Sequence, residues 1–151
     1  MPCPAPGSVV GSRRAAAAAD ERAPILYVSD WLIFACGVHS AAFALFHLAF
    51  WRLFGWPRSL QATSRVNRAI LQIANAQLVW VFGAVALLCF AMPADLRDTG
   101  LGRMVLAAMA GFWWLRLALQ FVWLRLYHPL VHALSVSFLL GAMLFSLAAL
   151  R

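Results

Sequence analysis

Six polar side chains set inside long apolar stretches carry most of the chemical potential of this chain: His47, Gln72, Asn75, Arg116, Gln120 and His132. Arg116 is the sharpest of them. A guanidinium keeps its charge at any accessible pH and offers a planar fork of N–H donors, which suits a carboxylate or phosphate. Neutral imidazoles at His47 and His132 each bring one ring nitrogen with a free lone pair, the group that binds a metal or haem iron. The amides of Gln72, Asn75 and Gln120 both donate and accept hydrogen bonds. His128 and His132 are spaced four apart, so one helical face can present both to a metal ion. The sequence holds no Ser-His-Asp set, no glycine-rich phosphate loop and no paired carboxylates. Acyl transfer, phosphoryl transfer and glycoside cleavage are therefore poorly supported.

The elements that must position these residues are four apolar stretches, residues 27–51, 69–92, 103–126 and 129–150. Each exceeds the roughly 20 residues that a helix needs to cross a bilayer core. Backbone polar groups must be paired in lipid, so each stretch is expected to be a helix. Short links imply antiparallel neighbours, with breaks at Trp56-Pro57 and Tyr127-His128-Pro129. Loops one and three then share a side. Measured from that side at 1.5 Å per residue, His132, His47 and Gln72 lie about 5–6 Å in, Asn75 and Gln120 about 10 Å, and Arg116 and His39 roughly 16–18 Å. All four spans thus place polar groups in one membrane half, and these groups are expected to converge. Trp113, three residues before Arg116, is a candidate cation–π partner for it. Trp31 with Tyr27, and Trp51, Trp56, Trp123 and Tyr127, fit aromatic belts at the two interfaces.

Composition agrees with this reading. Hydrophobic residues make up 64% of the 151 residues and charged ones 11%, against about 25% charged in a soluble domain. The net charge is +7, from 12 basic and 5 acidic residues. Every basic residue is Arg, and most lie outside the spans, so anionic headgroups rather than nucleic acid are the expected partner. Arg52, Arg58, Arg65 and Arg68 crowd the first loop and are its headgroup candidates. They argue for a cytoplasmic first loop, although Arg13, Arg14, Arg22, Arg97, Arg103 and Arg151 lie on the other side. Cys36 and Cys89 fall inside spans without metal spacing and read as small packing residues. Residues 1–25, rich in Pro, Ala and charge, read as a disordered tail without a signal peptide. Small residues recur at four-residue spacing (Gly37 and Ala41, Ala107 and Gly111, Ser137 and Gly141), a pattern that lets helices approach closely in lipid.

The run Arg65-Val66-Asn67-Arg68-Ala69 resembles part of the signature of the membrane-associated eicosanoid and glutathione enzymes. The resemblance covers about a dozen residues at the start of the second span. It implies four spans, a trimer and bound glutathione. The two acids of that signature are replaced here by Ser64 and Asn75, and the intervening Asn by Gln72.

The sequence therefore predicts an all-α integral membrane four-helix up-down bundle (residues 26–151) behind a disordered tail. The expected function is non-enzymatic, with a His/Arg/Asn/Gln pocket for a lipid headgroup or small anion. The alternative is a membrane oxidoreductase or transferase that uses the His/Arg cluster with a haem, metal or thiol cofactor. No cofactor is expected under the first reading. The expected partners are membrane lipids and either further copies of the chain or another membrane protein, in a bacterial inner membrane.

Overall fold

The computed structural model describes residues 30–56, 58–124 and 129–151. Helix α1 runs Asp30–Leu48, and after a turn at Ala49 comes the short α2, Phe50–Leu53. Helix α3 is Arg65–Ala91, α4 Pro93–Asp98, α5 Gly100–Trp123 and α6 Pro129–Leu150. Four of these, α1, α3, α5 and α6, are long and apolar enough to cross a membrane. The tail at residues 1–25, Arg125, Tyr127 and His128 lie outside the described residues.

Local chemistry sets the ends and shifts several predicted boundaries. The second span starts at Arg65 rather than residue 69, because Ser64 caps it: its hydroxyl accepts from the Asn67 amide at 3.3 Å. Thr99 caps α5 in the same way, accepting from Gly102 N–H at 2.9 Å, so the third span begins at Gly100 rather than 103. Pro93 occupies the first turn of α4, where its missing N–H costs nothing. That short helix was expected to be loop. At the other side, Gly55 takes φ +59°, a left-handed turn that lets the chain leave α2. Arg68 donates to the carbonyls of Leu60 and Gln61 at 3.2 and 3.3 Å and so ties the first loop to α3.

Contacts between helices run in opposite numerical directions, as antiparallel neighbours require. Phe43 meets Phe82 and Gly37 meets Cys89 and Phe90 across α1 and α3. Trp114 bonds Ser146 and Gln120 bonds Ser135 across α5 and α6. At the far side, Arg97 of α4 forms an ion pair with Asp30 at the start of α1.

Trp113, 1% exposed, joins all four long helices. Its ring stacks on Phe82 of α3 (5.3 Å, 9°) and on Phe138 of α6 (5.8 Å, 26°), and lies 4.6 Å from Phe43 of α1. Small residues permit this closeness at two places. A Cβ at Gly141 would sit 2.5 Å from the His39 ring, and one at Gly37 2.6 Å from Phe90. Gly111 meets nothing, so its four-residue pairing with Ala107 has no packing role among the described residues. The outer surface is apolar: Trp80, Trp123, Leu101 and Leu87 are all strongly exposed. Water does not tolerate so continuous an apolar surface, and a bilayer does.

Candidate functional site

Among the described residues, the buried polar side chains are His39, Ser40, His47, Asn75 and Gln120. His47 is the last-but-one residue of α1. Its Nδ1–H donates to the Phe43 carbonyl one turn back at 2.9 Å, which leaves Nε2 with a free lone pair. Its ring stacks on Phe50 at 4.7 Å. Asn75 of α3 donates through Nδ2 to the His47 carbonyl at 3.0 Å. That carbonyl is one of the four at a helix C-terminus without an intrahelical donor, so Asn75 both closes α1 and joins it to α3. Gln120 of α5 donates to the Val131 carbonyl at 3.0 Å and to Ser135 Oγ at 2.5 Å, and so joins α5 to α6.

Arg116 is half-buried, one turn before Gln120 on the same face of α5. It makes no hydrogen bond or ion pair among the described residues. Its guanidinium lies over the Phe138 ring, 4.6 Å from the centroid. Phe138, rather than the expected Trp113, is thus its aromatic partner. The Trp113 ring is already covered by Phe82 and Phe138. Helical side chains lean toward the helix N-terminus, and for α5 that end is on the far side of the membrane. Arg116 therefore leans toward the bilayer centre. Its Cα lies about 10 Å from the end of α5, and Phe138 about 13 Å into α6. The guanidinium thus lies over a residue well inside α6.

Convergence is partial. His47, Asn75 and Gln120 turn inward, and Arg116 is half-buried. His132 does not turn inward: its side chain is exposed on the outer face of α6. At about 100° per residue it stands roughly 120° round the helix from buried Phe138, whereas Val131 and Ser135 face Gln120. Depth places His132 level with the site, but its position round the helix excludes it. Its suggested metal pairing with His128 cannot be followed, since His128 lies outside the described residues. Gln72 is half-buried one turn from Asn75 and bonds to none of the group.

Two polar side chains outside the six candidates, His39 and Ser40, are also buried. His39 Nε2–H donates to the Ser137 carbonyl at 3.0 Å, and the ring stands edge-on to Trp113 at 4.7 Å. Ser40 is fully buried beside it. Among the described residues, five buried side-chain polar atoms have no hydrogen-bond partner: His39 Nδ1, Ser40 Oγ, Asn75 Oδ1, Trp113 Nε1 and Gln120 Oε1. The depth of His39 was legible in the sequence. Ser40 gave no signal, being a small residue in a helix rich in small residues. Among the described residues, no three His, Cys, Asp or Glu side chains gather as a metal set would. Cys36 and Cys89 are free and buried.

Together these features define a multi-pass helical membrane protein. Comparison with protein-family models, with characterised proteins and with solved structures gives no match.

Proposed function

We propose that the chain is a non-enzymatic protein of the bacterial inner membrane that holds an anionic group, a phospholipid headgroup or a small free anion, at Arg116. The observation that carries the reading is a half-buried guanidinium inside the third span that makes no hydrogen bond or ion pair among the described residues. A charge at that depth is costly, and such residues usually face a partner or a wet cavity. His47, Asn75 and Gln120 complete the site. Their amide donors are spent on carbonyls and Ser135, so what remains free is acceptors: His47 Nε2, Asn75 Oδ1 and Gln120 Oε1. A ligand that accepts from Arg116 and donates elsewhere matches that inventory, as a phosphate carrying a hydroxylated headgroup does. The first and third loops face the cytoplasm, where exposed Arg52, Arg58 and Arg65 meet anionic lipid.

Native mass spectrometry of the purified protein tests this with two probes, phosphatidylglycerol and inorganic phosphate. Retained phosphatidylglycerol that Arg116→Leu removes supports the headgroup source. Competition by inorganic phosphate supports the free anion. Equal retention by the wild type and Arg116→Leu would reject the site.

The second reading, a membrane oxidoreductase or transferase, draws on one observation. With Nδ1–H committed to Phe43, the His47 ring is held in the tautomer that binds iron or another metal through Nε2. A Soret band on the purified protein, lost in His47→Leu, would favour this reading over the first.

A further inference from the structure

Gln77 sits near the middle of α3, Arg65–Ala91, with its side chain exposed. It makes no hydrogen bond among the described residues. In a membrane-spanning helix that places a carboxamide against hydrocarbon, where an unpaired amide is costly and tends to find a partner on a neighbouring helix. The residues around it are patterned. Ala69, Ile73, Ala76, Trp80, Gly83 and Leu87 are all exposed, and their spacing is 4-3-4-3-4. This is the a/d seam of a left-handed helix pair, with large residues at one position and small ones at the other. Gly83 has open space around it, since a Cβ there would meet nothing within 4 Å. Nothing inside one copy therefore requires glycine at that position.

We propose that this face of α3 is where a second copy of the chain docks, through a parallel α3–α3 pair about a two-fold axis along the membrane normal. Two copies inserted in the same sense bring equal depths together, so the seam meets itself. Each Trp80 ring enters the space left by Ala76 and Gly83 of the second copy. The polar residues select this occupant over an unrelated helix. Gln77 falls at the e position of this heptad frame and Gln72, half-buried and without a hydrogen bond among the described residues, at g. The g residue of one heptad faces the e residue of the next across a parallel seam, so Gln72 of each copy meets Gln77 of the other. A glutamine both donates and accepts, and the symmetry makes the pair twice. The two glutamines that the anion site leaves unused are thereby satisfied, and the proposal does not rest on that site.

Cysteine cross-linking of the full chain in membranes tests it, in a Cys3→Ser background. Ala76→Cys on the seam should give a disulfide-linked dimer in high yield. Ala74→Cys, at similar depth but off the seam, should give little. Adding Gly83→Leu to Ala76→Cys should cut the dimer yield at least tenfold, while helix content and melting in detergent stay as in the parent. Adding Gln77→Leu should weaken association about three- to tenfold, the range for interhelical hydrogen bonds in lipid. Equal cross-linking at positions 74 and 76, adducts with other proteins in place of a dimer, or a dimer unmoved by Gly83→Leu would each overturn the proposal.

Discussion

Replacing Arg116 by Leu separates a charge kept for a ligand from one kept for the fold. A structural arginine would leave an orphaned acceptor behind, at about 1–3 kcal/mol. The natural candidate, the side-chain oxygen of Gln120 one turn away, accepts no hydrogen bond from it. The polar contact that Arg116→Leu removes among the described residues is the face of Phe138, worth about 0.5–2 kcal/mol depending on how dry the pair is. Against that loss stands relief from holding a charge inside the bundle, together with a better fit of Leu to the apolar span. The two nearly cancel, so ligand-free stability is expected to change by no more than about 1 kcal/mol. Unfolding in mixed micelles, followed by tryptophan emission, measures it. Gln120→Leu provides the scale, because it removes two hydrogen bonds and should cost about 1–3 kcal/mol. Anion retention should vanish in Arg116→Leu and weaken in Arg116→Lys, which lacks the planar fork. A loss above about 2 kcal/mol in ligand-free Arg116→Leu would make the residue structural and refute the argument.

The other predictions concern packing, topology and pH. Gly141→Ala drives a methyl to 2.5 Å from the His39 ring and 3.0 Å from Trp113, and rigid rings cannot yield cheaply. A cost of about 1–3 kcal/mol is expected in the same unfolding assay, and an unchanged melting curve would contradict the packing described. Cysteines placed at Ser59 and Ser64 should label from one side of the membrane and one at Thr99 from the other; equal accessibility would reject the up-down order. The Arg97 guanidinium, hydrogen-bonded to Asp98, holds that exposed carboxyl below its ordinary value of 3.8. Its small contribution to the stability of α4 is therefore complete above that value and lost as pH falls through the depressed one. In Asp98→Asn, hydrogen exchange at α4 should lose this acid dependence.

Much of the architecture was legible in the residues. Apolar run length gave four spans, because in lipid only an internally bonded helix satisfies the backbone. The depth of each polar residue followed from helical rise alone, and it placed Arg116 far inside. The resemblance at Arg65–Ala69 implied a glutathione site. No family model supports it, and Arg68 holds the first loop.

What depth could not give was direction round each helix. His132 and Gln120 both stand in the same membrane half, yet His132 faces out and Gln120 is buried, because only the choice of neighbouring helix decides which azimuth is inside. The same choice put Phe138 rather than Trp113 beneath Arg116, brought His39 against α6, and committed the amides of Asn75 and Gln120 to carbonyls of other helices. The heptad spacing along α3 was present in the sequence throughout. It acquired meaning only when packing left that face uncovered, since a periodic stripe is core or surface according to what lies beside it. The sequence by itself determined the spans and their polar depths, which depend on distance along one chain. The tertiary structure decided which of those groups meet, which depends on contacts between helices far apart in sequence.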